Sequence, residues 1–235
     1  MNAYRIACIA LLLSAVTASA AEPTPGEYIS DRGWGTLNIS RNKGGKMGFS
    51  ISSIGANGHS CSLEGAIRDG EAVLSNPAPG SSCHVSFEAD QGGIDVILGQ
   101  PDDCRDYCGM RATFDGRYAV PAAGCHNSER KATQAKFSQL YKSQDYDSAL
   151  PVLQTMLNTC AGTLFWLEEA QIRNDLAVTY HHLQRNEECL AVVQPTINAY
   201  GTTEKEIQEA LPPSDAESIL PLAKAAWFNA KLCGK

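Results

Sequence analysis

The chain has 235 residues, of which 43% are hydrophobic and 19% are charged, and its formal net charge is −7. The large apolar fraction excludes an intrinsically disordered chain and suffices for one or two domains with cores of their own. The acidic balance argues against a protein that coats nucleic acid, because binding to phosphates requires clustered Lys and Arg. We therefore expect no nucleic-acid partner.

Residues 1–20 read MNAYRIACIALLLSAVTASA and have the three parts of a secretory signal peptide. Arg5 is the only charge in this stretch, an apolar run follows it, and Ala18-Ser19-Ala20 fits the small-x-small cleavage pattern. The apolar run is too short to span a bilayer as a stable helix, although an uncleaved N-terminal anchor is the alternative. We expect a periplasmic or secreted protein with no stable membrane insertion after cleavage.

The cysteines point to an oxidising compartment. Removing residues 1–20 takes away Cys8 and leaves eight of the nine cysteines, which allows up to four disulfides. Five of them precede residue 126 and three follow it: Cys61, Cys83, Cys104, Cys108 and Cys125, then Cys160, Cys189 and Cys233. Since both numbers are odd, full pairing requires at least one bridge across this boundary. Cys125, at the boundary itself, is the natural donor, and we expect the bridge to tie the two regions together.

From Gly26 to about Pro121, short runs of alternating polar and apolar residues are separated by Gly, Asn and Asp clusters. Examples of such runs are residues 36–40, 48–52, 61–67, 71–75, 84–89 and 94–98. This spacing predicts an antiparallel β domain over residues 22–121, closed into a barrel or a sandwich.

Two cysteine relationships follow from the predicted strands. Cys61 and Cys83 each lie next to a strand, which makes a Cys61–Cys83 disulfide a candidate. Cys104 and Cys108 are too far apart to pair along one extended strand, since four residues span about 13 Å. They could bridge across a turn, or each could find another partner.

After Cys125 the apolar spacing changes to three and four residues, which predicts an α-helical domain over residues 127–234. Pro212-Pro213-Ser214 interrupts the pattern. It resumes over Ala216–Leu232, with Trp227 and Phe228 as candidates for burial. The predicted fold class is therefore α+β, with an antiparallel β barrel or sandwich followed by helices.

Two segments of the helical half can be aligned. One reads Leu140-Tyr141-x3-Asp145-Tyr146-x2-Ala149-Leu150, and the other reads Tyr180-x2-Leu183-x2-Asn186-x2-Cys189-Leu190. Together with Leu176-Ala177-x2-Tyr180, they resemble the tetratricopeptide repeat, in which a small residue at the position of Ala149 or Cys189 lets two helices approach. The segments are 40 residues apart, against about 34 in the family. A generic helical bundle is the alternative.

The resemblance implies a concave face that holds a protein or peptide partner, with no accompanying chemistry. By position, Asn174, Val178, His181 and His182 would line that face. The leading hypothesis is accordingly an exported scaffold or adaptor protein that binds its partner through the helical domain. In the alternative, the helices only support the β domain.

The end of the β half reads Cys104-x3-Cys108-Gly109-Met110-Arg111-Ala112-x-Phe114-Asp115-Gly116-x-Tyr118. It is similar to the end of small exported β domains found beside periplasmic lysozyme-inhibitor modules. Asp102, Asp103 and Asp106 form an acidic loop in this segment, which is either solvated surface or a site for a cationic partner. The resemblance therefore implies a second hypothesis, inhibition of a basic cell-wall hydrolase such as lysozyme.

The sequence shows few catalytic or metal-binding patterns. His59, His84 and His126 lie near cysteines, which leaves a zinc site as an alternative to disulfides, but oxidised cysteines cannot bind metal. The sequence contains no nucleophile elbow, phosphate loop, dinucleotide fingerprint or zincin helix. We expect no metal, no cofactor and no enzymatic activity.

Overall fold

The computed structural model describes residues 22–76, 81–100 and 102–234. The predicted signal peptide, residues 1–20, lies outside the described residues. Within the described parts, the chain forms eight β-strands followed by six α-helices. The predicted fold class, α+β with the antiparallel β part first, is confirmed.

The β half is a nearly closed antiparallel barrel. Its strands are β1 Gly26–Ser30, β2 Gly35–Arg41, β3 Met47–Ile54, β4 Ser60–Ile67, β5 Glu71–Ser75, β6 Ser82–Ala89, β7 Gly93–Leu98 and β8 Gly116–Ala119. They follow the order β4-β3-β2-β1-β8-β7-β6-β5 in one sheet. The edge strands β4 and β5 are joined by a turn that carries a single bridge between Arg68 and Glu71.

Period-two patterning explains these strands. In β3, the alternate residues Met47, Phe49, Ile51 and Ser53 are buried, while their neighbours are half-buried or exposed. Phe49 packs against Phe87 of β6 with 4.8 Å between ring centroids. Inward-facing residues from the strands therefore fill the barrel with side chains, as expected for a small barrel.

Two disulfides fasten the loop between β7 and β8 to the barrel. Cys61 of β4 is bonded to Cys108, and Cys83 of β6 is bonded to Cys104. The candidate Cys61–Cys83 pair is therefore wrong. The strands β4 and β6, which carry Cys61 and Cys83, are not neighbours in the sheet order, and the loop between β7 and β8 supplies a partner to each cysteine. Cys104 and Cys108 thus follow the second alternative, with separate partners.

The helices are α1 Asn127–Lys142, α2 Tyr146–Cys160, α3 Trp166–His182, α4 Asn186–Tyr200, α5 Glu204–Ala210 and α6 Pro213–Cys233. The side chain of Asp145 begins α2 by accepting a 3.2 Å hydrogen bond from the Ser148 backbone N–H, an N-cap that satisfies an otherwise free donor. In the described part of the chain, none of the helices has both the length and the apolarity to cross a membrane.

The backbone repeats at the 40-residue spacing seen in the sequence. The turns between α1 and α2 and between α3 and α4 place Gln144 and Gln184 in the left-handed region, with φ of 62° and 60°. Ala149 and Cys189, the aligned small residues, are both 0% exposed. Two helical hairpins of matching geometry result, and α5 and α6 follow them with a different arrangement.

The helical half has its own disulfides. Cys125 is bonded to Cys160, and Cys189 of α4 is bonded to Cys233 of α6. The first bond crosses residue 126, as the parity of the cysteines requires. Cys125, however, is packed into the helical core, so this bond lies inside the helical half and does not tie it to the barrel. The four disulfides indicate an oxidising, extracytoplasmic location.

Helix α6 covers α3 and α4 with a stripe of small and branched residues, among them Ala216, Ile219, Ala223 and Ala226. Phe228, a predicted core residue, is instead 63% exposed. It lies two positions after Ala226, which places it about 200° around the helix from the buried stripe. Trp227 is half-buried and donates its indole N–H to the carbonyl of Gly201 at 2.8 Å.

The two halves contact each other directly. The backbone N–H of Arg32, in the turn after β1, donates to the carbonyl of Gly162 between α2 and α3 at 2.7 Å. Trp34 meets Phe165 edge-on at 5.2 Å and stacks on Trp166 at 6.5 Å between ring centroids. An aromatic contact thus joins the barrel to the start of α3.

A polar contact joins the barrel to the N-terminus of α1. The carboxylate of Glu27 on β1 accepts hydrogen bonds of 3.0 Å from the Asn127 backbone N–H and from His126 Nδ1. Burial alone would raise the pKa of Glu27, but the hydrogen bonds from Asn127 and His126 outweigh it and lower the pKa. The barrel therefore supplies an ionised carboxylate to the N-terminus of α1, where negative charge is favoured.

Candidate functional site

The face predicted to bind a partner is largely covered by α6. Asn174 is only 5% exposed, and its side-chain amide donates to the carbonyl of Leu222 at 2.9 Å. Asn229 of α6 donates in turn to the Asn174 side chain at 3.0 Å. Val178 and His181 continue along the same side of α3 and are half-buried. Asn174 is thus a buried packing residue, and its assignment to a binding face is corrected.

An open groove lies between α1 and α3 instead, with a volume of about 650 Å³. We call it the α1–α3 groove. Its lining residues are Asn127, Arg130, Lys131, Gln134, Phe137, Ser138, Tyr141, Lys142, Leu153, Leu167, Glu168, Gln171, Ile172 and Asp175. On α3 the groove residue is Asp175 rather than Asn174, and one position corresponds to a rotation of about 100°.

A fully paired arginine occupies one end of the groove. Arg130 is 6% exposed, and its Nε donates to Glu168 at 3.1 Å. Its two terminal nitrogens donate to the Cys125 carbonyl and to the Asn127 side chain, each at 2.7 Å. Gln134 also donates to Glu168, at 2.9 Å. This cluster fixes α1 against α3 and holds the Arg130 guanidinium in place.

Asp175 lies farther along α3 and has a different environment. Its carboxylate accepts a 2.8 Å hydrogen bond from the side-chain amide of Gln171, one turn earlier. Among the described residues, Gln171 is the one hydrogen-bond partner of the Asp175 carboxylate, and Asp175 takes part in no ion pair. Burial raises the pKa of Asp175 to about 6, against the smaller opposing effect of Gln171. The groove therefore contains a half-buried carboxylate that has no ion-pair partner among the described residues.

Aromatic rings line the same part of the groove and continue beyond it. Tyr141 lies 5.6 Å from Phe137 and 5.3 Å from Tyr146, measured between ring centroids. Tyr146 stacks on His182 at 4.2 Å with an interplanar angle of 3°. Burial raises the pKa of Tyr141, and the nearby Tyr146 and Asp175 raise it further. Of the predicted face, His182 is the exposed member, and it stands in this aromatic row.

The acidic loop lies in the barrel half. Asp102 and Asp106 are exposed, while Asp103 is half-buried and its carbonyl accepts a 2.5 Å hydrogen bond from the Asn76 amide. Asp102 and Arg105 contribute to a cleft of about 710 Å³ beside β7. The acidic loop and the α1–α3 groove have no lining residue in common, so they are two separate candidate sites.

The described cysteines are in disulfides and therefore have no free thiolate to offer a zinc ion. Every cysteine of the described residues is bonded to another cysteine. Among those residues, no group of three or more His, Cys, Asp or Glu side chains is placed to hold a metal ion. Comparison with known proteins finds no family model, no curated protein and no solved structure that matches this chain.

Asp175, Gln171 and Tyr141 were not among the site residues predicted from the sequence. Asp175 and Gln171 are four residues apart and so share one side of α3, on which Glu168 also lies. A polar row of this kind predicts an open side of a helix. The adjacent row of Asn174 and Val178 is the less polar of the two and was the better candidate for burial.

Proposed function

We propose that this chain is a periplasmic or secreted interaction protein of tetratricopeptide-like type, which binds a protein or peptide partner in the α1–α3 groove. The observation that carries the proposal is the groove itself, which is open along α1 while the other side of α3 is covered by α6. Binding, not catalysis, is the role proposed.

The composition of the groove supports a polypeptide ligand. Phe137, Leu153 and Ile172 give it an apolar floor, and exposed Lys131 and Lys142 stand at its rim. An apolar centre surrounded by polar groups is the usual composition of a protein interface. From the first to the last lining residue of α1 the groove extends about 22 Å, enough for several residues of an extended chain.

Selection from a random peptide library on the full exported chain tests this proposal. Ser138 lines the groove and is half-buried, so Ser138→Trp fills the groove without replacing a core residue. We expect selected peptides to bind the wild-type chain and to lose about tenfold or more in affinity for Ser138→Trp. Gln139→Trp, at an exposed neighbouring position outside the groove, is the matched control. Failure to select any peptide, or equal effects of both variants, contradicts the proposal.

A second candidate function is inhibition of a cell-wall hydrolase such as lysozyme through the acidic loop. The observation that favours it is the pair of disulfides at Cys104 and Cys108, which holds the loop rigidly on both sides of Asp106. A loop fixed before binding loses less conformational entropy when it binds. Exposed carboxylates would also attract a basic enzyme.

Lysozyme-catalysed lysis of bacterial cells, measured with and without the exported chain, tests this second function. We expect inhibition by the wild-type chain and a loss of inhibition when Asp102, Asp103 and Asp106 are all replaced by Asn. Glu217→Gln, which removes a carboxylate from the exposed side of α6, is the control. A wild-type chain that leaves the lysis rate unchanged rules out lysozyme as the target.

A further inference from the structure

The α1–α3 groove contains a half-buried carboxylate, that of Asp175, which has no ion-pair partner among the described residues. Glu168 has Arg130 as its ion-pair partner at 3.1 Å. Asp175, two turns later on α3, has only the neutral amide of Gln171 within the described structure. Burying a carboxylate without a cation is costly, because the charge loses its hydration and receives no Coulomb energy in return.

Among the described residues, the cationic side chains of the groove form no ion pair with Asp175. All three guanidinium nitrogens of Arg130 donate to Glu168, Asn127 and the Cys125 carbonyl. Lys131 and Lys142 are exposed at the rim and form no ion pair with Asp175. The space beside the Asp175 carboxylate therefore remains available to a cation from outside the chain.

The aromatic residues of the groove also favour a ligand that carries a cation. Tyr141 and Phe137 line the groove together with Asp175, and their ring centroids are 5.6 Å apart. The negative face of an aromatic ring attracts an ammonium or guanidinium group, and its apolar surface packs against an aliphatic stem. A side chain with a long aliphatic stem and a terminal cation meets both requirements.

We propose that the α1–α3 groove anchors its partner by a lysine or arginine side chain, whose cation pairs with Asp175 and whose stem packs against Tyr141 and Phe137. This inference rests on the proposed function and names the chemistry that the groove recognises. The source of the cation is a polypeptide, because Asp175 and Tyr141 lie toward one end of the groove and the rest of it, back to Asn127 and Leu167, has room for residues adjacent to the basic one.

Titration of the full exported chain, followed by backbone NMR shifts of Gln171, Tyr141 and Asp175 at pH 7.5, tests the anchor. The probes are acetyl-Ala-Ala-Lys-Ala-Ala-amide and the same peptide with norleucine, which has the stem but not the cation. We expect the lysine peptide to bind about tenfold or more tightly than the norleucine peptide, because only the lysine side chain can donate a hydrogen bond to the charged carboxylate.

Variants separate the anchor from a general effect on folding. Asp175→Asn should weaken the lysine peptide about tenfold and leave the norleucine peptide unaffected. Asp175→Glu, which keeps the charge, should restore most of the difference, and Glu217→Gln should bind as the wild type does. Equal affinity of the wild-type chain for the two peptides, or unchanged binding of the lysine peptide by Asp175→Asn, overturns the inference.

Three further outcomes distinguish the possible failures. Butylammonium that binds as tightly as the lysine peptide overturns the polypeptide source, because flanking residues then contribute nothing. Library peptides that bind the groove without a basic residue, and equally well to Asp175→Asn, overturn the anchor while the proposed function stands. A library that yields no groove-binding peptide overturns both.

Discussion

The carboxylate of Asp215, in the first turn of α6, accepts a 2.8 Å hydrogen bond from the backbone N–H of Asn57 in the barrel. The Asn57 side chain in turn accepts a 3.0 Å hydrogen bond from the backbone N–H of Ser214. Asn57 adopts a left-handed backbone with φ of 61°, which asparagine tolerates better than most residues. A turn of the barrel thus caps the N-terminus of α6, and non-covalent contacts of this kind join the two halves.

The close approach at Gly33 makes the interface sensitive to one methyl group. Gly33 has a φ of 67°, and a Cβ built there would lie 2.6 Å from the Thr163 carbonyl oxygen and 2.7 Å from the Phe165 nitrogen. We expect Gly33→Ala to lower the free energy of unfolding by about 3 kcal/mol, from backbone strain and the clash together. Urea denaturation measures this loss.

Gly45→Ala is the matched control for Gly33→Ala. Gly45 also has a left-handed backbone, with φ of 78°, but a Cβ there meets nothing within 4 Å. This variant should lose only the strain energy of about 1 kcal/mol. Equal losses in the two variants would show that the contact between the turn and α3 contributes nothing.

The disulfide pattern predicts that the two halves can be separated without a reductant. Ala122 and Ala123 are exposed between β8 and α1, so a protease recognition sequence can be inserted there. After cleavage we expect a single species in native gel filtration and two separate fragments in non-reducing denaturing electrophoresis, because each of the four disulfides among the described residues lies within one half. A single band in the denaturing gel contradicts the pattern.

Asp175 should lower the stability of the chain at neutral pH. Burial raises its pKa from 3.8 to about 6, so the folded state binds the proton more tightly than the unfolded state and loses stability as the pH rises through this range. The loss is about 3 kcal/mol above pH 6. We therefore expect Asp175→Asn to be the more stable protein at pH 7.5, with a difference that disappears near pH 4, in urea denaturation at both pH values.

Other groups around Asp175 set the controls for that measurement. Tyr141, Lys131 and Lys142 of α1 line the same groove, Glu168 lies earlier on α3, and His182 lies two turns later. Their contributions are common to the wild type and Asp175→Asn, so the difference between the two proteins isolates Asp175. Glu217→Gln should stay within about 0.5 kcal/mol of the wild type at both pH values. A less stable Asp175→Asn at pH 7.5 contradicts the prediction.

Glu27 should have the opposite pH dependence. Its lowered pKa means that its stabilising effect is present above the unfolded-state pKa and disappears as the pH falls through the folded-state value. We expect Glu27→Gln to lose about 1–2 kcal/mol at pH 7, where a charged hydrogen-bond acceptor is replaced by a neutral one, and to approach the wild type as the pH falls below 4.5.

Glu22→Gln is a suitable comparison for Glu27→Gln in thermal and urea denaturation. Glu22 lies 3.6 Å from Arg41 in an ion pair in which both side chains are largely exposed. Such pairs contribute about 0–1 kcal/mol. A loss at pH 7 that is no greater for Glu27→Gln than for Glu22→Gln would show that Glu27 does not hold α1 against the barrel.

The strands and helices could be predicted from the sequence because each is encoded locally. The alternation at Phe49 and Ile51 and the helical spacing at Leu150 and Leu153 are visible without any partner element. Disulfide pairing is not local, since eight cysteines allow 105 connectivities and only the three-dimensional order of the strands selects among them. That is why Cys61 was matched with the wrong cysteine.

The site was harder to predict than the fold. The repeat pattern placed the candidate binding residues on α3, but the open side of α3 depends on where α6 packs, and α6 begins 39 residues after Asn174. Asn174 and Asp175 are adjacent in sequence but point to different sides of α3, Asn174 toward α6 and Asp175 into the groove. The lack of a cation beside Asp175 could not be predicted from the sequence either. It depends on tertiary contacts, in which Arg130 pairs with Glu168 and not with Asp175.

The pairing of β1 with β8 has a consequence for a chain that is still being synthesised and has not yet reached β8. Before residues 116–119 are available, the strands can form only two separate sheets, β4-β3-β2-β1 and β7-β6-β5, with four open edges between them. Open edges are templates for pairing with other chains and hence for aggregation. The four residues of β8 join the sheets and reduce the open edges from four to two. A truncation that removes this short strand should therefore harm solubility far more than its length suggests.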